Sequence, residues 1–258
     1  MTISEVFIKN AAAVAGMMLV VWVISVLIKD ASIVDIGWGL GFVLIAWVTF
    51  LTSDRTPRCW LIVLLTTIWG TRLSGYLARR NLGKGEDYRY VKMREKHGSR
   101  FPIVSLLTVF GLQGLIMLIV SLPLQTGMTV EAPTTLGLLA CIGCAVWLIG
   151  FAFEAGGDWQ LARFKADESN RGKVLDSGFW RYTRHPNYFG DFMIWWGVFL
   201  ISFGTGAAWW SAIGPAVMSF FLIKVSGVAM LEKTLKKKPG YADYIAKTNA
   251  FFPWFPAR

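Results

Sequence analysis

Residues 11–51 read AAAVAGMMLVVWVISVLIKDASIVDIGWGLGFVLIAWVTFL. Two apolar runs, Ala11–Ile28 and Ile33–Leu51, meet at a tight turn, Asp30–Ser32. Each run is close to the twenty or so residues that a helix needs to cross the hydrocarbon core of a bilayer. The pattern repeats along the chain, and further spans are expected at Cys59–Ala78, Ile103–Leu122, Thr134–Phe153, Tyr188–Phe203 and Ala207–Leu231. The fold class expected is therefore all-α, a polytopic membrane bundle of about seven helices. Pro123 is expected to close the fourth, because proline cannot continue the hydrogen-bond ladder of a helix.

Composition agrees with this. Of 258 residues, 55% are hydrophobic and only 16% charged, too few to cover a water-soluble globule. The thirteen tryptophans suit a protein with two headgroup boundaries to line. The formal charge of +10 is confined to short segments beside apolar runs, where bases orient spans and meet anionic headgroups. That placement argues against a nucleic-acid partner. Cys141 and Cys144 lie in an apolar run without a neighbouring histidine, so neither a metal nor a disulfide is expected.

The segments between spans alternate in charge. Arg79–Arg100 and Arg163–Arg184 are basic, Gln125–Pro133 and Gly204–Gly206 carry no base, and the tail holds Lys233, Lys236, Lys237, Lys238 and Lys247. Basic loops stay in the cytoplasm, which puts the C-terminus inside and, with seven spans, the N-terminus outside. Arg55 and Arg58 are a mild exception. Residues 1–10 are only weakly basic and no cleavage site follows, so no secretory signal is expected. A single domain without repeats is expected.

Ionisable groups inside spans are costly, which makes each a candidate for function. Asp35 lies one turn into the second span, with Trp38, Gly39 and Phe42 near its face. Arg72, inside the third span, is its natural partner, and Trp69 sits one turn before Arg72. The loop that follows carries Asn81, Lys84, Tyr88 and Tyr90 among its bases. At the exit of the fifth span, Glu154, Asp158 and Lys165 fall within about 40° of one another on a helix, with Arg163 close by. The densest segment is Ser177–Asp191, which runs Arg181, Arg184, His185, Pro186, Asn187, Tyr188, Asp191 straight into a span. Pro186 suits a first helical turn, and a helix N-terminus beside bases suits a pyrophosphate.

Here the sequence resembles a known superfamily. Gly178-Phe179, Arg184-His185-Pro186, Tyr188 and Gly190 look like the signature shared by membrane steroid 5-alpha-reductases, sterol reductases and isoprenylcysteine carboxyl methyltransferases. Leu231-Glu232-Lys233, Pro239-Gly240-Tyr241, Tyr244 and Phe251-Phe252-Pro253 extend the likeness, which covers about residues 154–253. Asp35 lies where the steroid reductases carry an acidic catalytic residue, and Asn81 with Lys84 is similar to their contact with NADPH. The family's catalytic tyrosine falls at Trp69.

The resemblance implies a bacterial inner-membrane enzyme that reduces the C4=C5 double bond of 3-oxo-4-ene steroids or similar lipid-soluble enones with NADPH. Residues 1–125 would face substrate and residues 150–258 would hold the cofactor on the cytoplasmic side. It implies catalytic roles for Asp35, Trp69, Arg72, Tyr88 and Tyr90, with Trp38 and Phe42 against substrate. Cofactor contacts would come from Asn81, Lys84, Glu154, Asp158, Arg163, Lys165, Lys173, Arg181, Arg184, His185, Asn187, Tyr188, Asp191 and Glu232. The partners expected are the substrate and membrane lipids, and the chain is expected to act as a monomer. Two other readings share the signature: a methyltransferase that uses S-adenosylmethionine, and a sterol- or lipid-binding protein without catalysis.

Overall fold

The computed structural model describes residues 2–129, 136–203, 209–225 and 227–257. Thr134, Gly204–Gly206 and Ala207, where the sequence places span starts and a neutral loop, lie outside them. Every regular element among the described residues is helical. Contacts gather the chain into two compact units, Met1–Gly137 with Ser202–Ser211, and Leu138–Ile201 with Ala212–Arg258.

In the first unit, α1 (Ile3–Ile28) opens with a capping box. The Thr2 hydroxyl accepts from the Glu5 N–H, and the Thr2 N–H donates to the Glu5 carboxylate at 3.0 Å. These bonds satisfy two of the donors that any helix start leaves open. α1 ends where Lys29 turns left-handed, and α2 (Ile33–Leu51) follows almost at once. α3 (Pro57–Asn81) starts on Thr56, whose hydroxyl accepts from the Cys59 N–H, with proline at its first position. α2 and α3 touch backbone to backbone. A Cβ on Gly70 would lie 2.5 Å from the Gly39 carbonyl oxygen, and one on Gly39 would collide with that of Gly70. Small residues allow this approach, which gives tight packing in a solvent that supplies no hydrophobic drive between helices.

α4 (Tyr88–His97) starts on Asp87 and leads through α5 (Phe101–Ser105) and a π-helical turn (Leu106–Gly111) into α6 (Leu112–Val120). The fourth apolar run does stop before Pro123, but helix resumes at once as α7 (Leu122–Thr129), with Pro123 in its first turn. Gln125, expected in a loop, is fully buried there. Its side-chain oxygen accepts from the Asn10 amide at 3.1 Å, and Asn10 also donates to the Thr49 hydroxyl at 2.8 Å, so α1, α2 and α7 share a polar tie.

The second unit holds α8 (Leu138–Ala166), α9 (Pro186–Phe203), α10 (Ile213–Phe220), a π-helical turn (Phe221–Val225), α11 (Val228–Leu235) and α12 (Tyr241–Lys247). α8 and α9 run antiparallel along a glycine seam. A Cβ on Gly150 would lie 2.7 Å from the Gly190 carbonyl oxygen, and one on Gly143 the same distance from that of Gly197.

Among the described residues six helical segments are long and apolar enough to cross a membrane, where seven were expected. They are Ile3–Ile28, Ile33–Leu51, Pro57–Asn81, Tyr88–Val120, Leu138–Ala166 and Trp209–Leu235. The segment outside this set is the expected sixth span, which forms α9. Asn187 and Asp191 in its first two turns make it more polar than the rest. The protein is a polytopic membrane helix bundle.

Candidate functional site

In the first unit the loop between α3 and α4 is pinned onto the turn between α1 and α2. The Glu86 carboxylate accepts the Ala31 N–H at 2.8 Å and two N–H groups of Arg94 at 2.8 and 3.0 Å. The Asp87 N–H donates to the Ser32 hydroxyl at 2.6 Å. Gly83 and Gly85, both at positive φ, let the chain turn back far enough to reach these groups. Burial pushes both carboxyls up. Hydrogen bonds from Arg94 and Ala31 to Glu86, and from Arg89 to Asp87, outweigh it and hold each below its ordinary value.

This anchoring brings the first turn of α4 against the first turn of α2. The Tyr90 hydroxyl donates to Asp35 Oδ1 at 3.1 Å, and Arg89 Nη2 donates to Asp35 Oδ2 at 3.1 Å. Arg89 Nε also donates to Asp87 Oδ1 at 2.9 Å, so one guanidinium bridges two carboxylates. Gln113 Nε2 donates to the Tyr90 oxygen at 3.4 Å. Tyr90 is only 6% exposed, while the Asp35 side chain keeps 20% of its surface open. The partners of Asp35 are thus Arg89 and Tyr90, and the pairing with Arg72 read from the sequence is not formed. Depth along one span suggested Arg72, but the capped start of α4 delivers a closer cation.

The other candidates in this unit separate from that cluster. Trp69 is 1% exposed and packs on Phe42, which is wholly enclosed, with ring centroids 5.5 Å apart. Trp38 meets the Phe42 ring edge-on at 5.3 Å and stays half-buried. Tyr88 points away, 58% exposed, with the Lys92 ammonium over its ring. The Asn81 side chain accepts from Arg80 Nε at 2.9 Å, and Lys84 is exposed between the two positive-φ glycines. The sequence reading passed over Arg89 and Gln113. Arg89 looked like one more base of a positive-inside loop, and Asp87 as a helix cap was the signal that would have placed it.

In the second unit Asn187 donates to Asp158 Oδ1 at 3.2 Å across the α8–α9 seam, with Glu154 and Asp158 both buried. Asn187, Tyr188 and Asp191 are half-buried at the start of α9. Arg163, Lys165, Lys173 and Arg181 are exposed cations, and Arg163 lies over the Trp159 ring. Arg184 and His185 differ from these, because both are buried on Glu232. Glu232 Oε1 accepts from Arg184 Nε at 2.9 Å, from Tyr241 at 3.2 Å and from His185 Nε2 at 3.1 Å.

The Arg184 guanidinium also donates to the carbonyls of Thr248 and Ile245, and the Arg184 N–H donates to the Asn249 carbonyl. Burial pushes the His185 imidazole below its ordinary value, and the bond to Glu232 only partly offsets it. Burial and the Glu232 carboxylate hold the Tyr241 phenol above its ordinary value. Together these bonds fasten α9, α11 and the C-terminal segment at one point. A cleft of about 400 Å³ opens beside it, lined by Arg184, Ile245–Ala250, Trp254, Phe255 and Ala257.

The first cluster offers one phenolic proton donor, a carboxylate and a guanidinium within hydrogen-bond reach of one another. The second unit offers carboxylate and amide groups that suit hydroxyl donors, with four exposed cations that suit phosphates. Among the described residues no group of three His, Cys, Asp or Glu side chains is placed to hold a metal ion.

Comparison with known proteins finds one family. The profile described as "Protein of unknown function (DUF1295)" matches residues 21–248. An uncharacterized protein of Schizosaccharomyces pombe is 24% identical over 280 aligned positions, which cover 91% of this chain and 76% of that one. No solved structure matches significantly.

Proposed function

The chain belongs to the DUF1295 family, and from that premise we propose that it is a membrane reductase of the steroid 5-alpha-reductase type. In this reading it uses NADPH to reduce the double bond of a lipid-soluble enone such as a 3-oxo-4-ene steroid. The observation that carries the proposal is the hydrogen bond from Tyr90 to Asp35, in a chain whose family tyrosine position is filled by Trp69. The resemblance calls for an acid in the second span and a phenol beside it. In this reading Tyr90 of α4 is that phenol.

The nucleotide would supply hydride to the β-carbon of the enone. Tyr90 would give its proton to the α-carbon once its O–H swings out of the bond to Asp35, and a protonated Asp35 carboxyl would donate to the Tyr90 oxygen in its place. As the proton leaves, negative charge on the Tyr90 oxygen is met by the Arg89 guanidinium and the Gln113 N–H. Solvent returns the proton through the open side of the Asp35 carboxylate. Trp38, half-buried, is the aromatic side chain with surface left for a flat apolar substrate. Phe42 supports it from behind.

The residues of the second unit fit a dinucleotide phosphate in a modified way. Arg184 and His185 are engaged by Glu232, so the phosphate charge falls to Arg163, Lys165, Lys173 and Arg181, and the ribose hydroxyls to Asp158, Asn187 and Asp191. A ligand without phosphates, such as S-adenosylmethionine, would draw less on these cations. Purified protein in detergent, titrated with NADPH and separately with S-adenosylmethionine, tests the reading. Binding of NADPH alone is expected, weakened by charge removal at Lys165 and Arg181. Binding of S-adenosylmethionine alone would sink it.

A further inference from the structure

The last residues of the chain hold an exposed aromatic group that the reading above leaves unused. Phe252, Trp254 and Phe255 are 59%, 69% and 78% exposed within four positions. Their backbone is nonetheless firmly held. The Trp254 N–H donates to the Tyr182 carbonyl at 2.9 Å, and the Ala257 N–H donates to the Lys247 carbonyl at the same distance. The Thr183 hydroxyl donates to the Phe251 carbonyl at 2.8 Å, and Phe255 meets the Tyr182 ring edge-on. Pro253 and Pro256 fix φ on either side. Large apolar rings held outward on a pinned segment are built to be covered, since a free tail would fold them inward or stay loose.

Depth in the fold identifies what covers them. Tyr182 and Thr183 lie just before Pro186, where α9 begins. The His185–Glu232 bond sets that point level with Glu232, three residues before the apolar segment Trp209–Leu235 ends. The rings therefore stand at the height where hydrocarbon gives way to headgroups, the layer in which tryptophan is enriched. Charge completes the case. Lys233, Lys236, Lys237 and Lys247 are exposed around the same level, against the lone exposed carboxylate of Asp243 in that stretch.

We propose that residues 252–255 are an interfacial anchor seated in the headgroup layer of a bilayer containing anionic lipid, which thereby braces the Arg184–Glu232 tie. The occupant is the membrane surface on the basic side of the bundle. The inference does not depend on the enzymatic reading.

The test uses the full chain reconstituted in phosphatidylcholine vesicles with and without phosphatidylglycerol. The emission difference between wild type and Trp254→Phe isolates this indole. A nitroxide near the lipid headgroup should quench that difference severalfold more than aqueous iodide does. The variant Trp254→Ser, which removes an exposed ring and leaves the Phe255–Tyr182 contact in place, should match wild type in thermal midpoint in detergent. It should fall below wild type in vesicles that contain phosphatidylglycerol.

Preferential quenching by iodide would overturn the proposal. So would an indole shielded from both quenchers together with cross-linking of two copies through this face. Equal midpoints of wild type and variant in both kinds of vesicle would overturn it as well.

Discussion

The Tyr90 hydroxyl stands 3.1 Å from Asp35 Oδ1, although 55 positions separate the two residues. The contact exists because Glu86 and Asp87 fasten the loop before α4 to the turn before α2. Two helix starts are thereby set face to face. Polar groups at helix starts have the positive end of each dipole beside them, which favours a carboxylate there. The cluster is consequently built from local features, caps and glycines, that converge at one place.

Close packing of α2 on α3 holds the Asp35 end of this arrangement in place. Gly39→Ala should destabilise the protein by about 1–3 kcal/mol, because a methyl group would press on the Gly70 carbonyl. Gly75→Ala, with open space around it, serves as the control and should be neutral or stabilise by up to about 1 kcal/mol. Thermal midpoints in one detergent compare the two.

Removing Glu232 should be more damaging. Glu232→Ala leaves the Arg184 guanidinium buried without its carboxylate and costs about 3–5 kcal/mol. Tyr241→Phe deletes only one of the three donors to the same oxygen and should cost about 1 kcal/mol. Chemical denaturation or graded addition of a harsh detergent would rank them, and equal losses would contradict the central place given to Glu232.

Acid should weaken the loop anchor. The Glu86 carboxyl in the folded protein titrates below its ordinary value of 4.5, so the unfolded chain binds more protons in that range. Its contribution to stability is complete above the ordinary value and is lost as pH falls through the folded one. Glu86→Gln should be less stable than wild type at neutral pH, with a flatter fall in thermal midpoint below about pH 5. Asp87 has the same sign and keeps part of the acid dependence in the variant.

Much of this architecture is written locally in the sequence. The apolar runs have a length that only a bilayer explains, and glycine at Gly39, Gly70, Gly150 and Gly190 marks the helix contacts once those runs are paired. Asp35 announces itself because a carboxylate in such a run is costly. Its partner does not, since Arg89 and Tyr90 come from a loop whose path depends on Glu86, Asp87 and two positive-φ glycines acting together.

Residues Arg184 and His185 illustrate the opposite case. As isolated bases at a helix start they suit a phosphate, and only the return of the chain at Glu232 shows that they are tied to a carboxylate. The polar start of α9 likewise separates it from the other apolar helices, and there Asn187 bonds to Asp158 across the α8–α9 seam.

The central claim is that Tyr90, held by Asp35, donates the proton in an NADPH-dependent enone reduction. It is tested most directly by NADPH oxidation with a 3-oxo-4-ene steroid, comparing wild type with Tyr90→Phe and with Tyr88→Phe as control. The account predicts that Tyr90→Phe loses about 10²- to 10⁴-fold in turnover while its affinity for NADPH holds, and that Tyr88→Phe is unchanged. Undiminished turnover in Tyr90→Phe would contradict it.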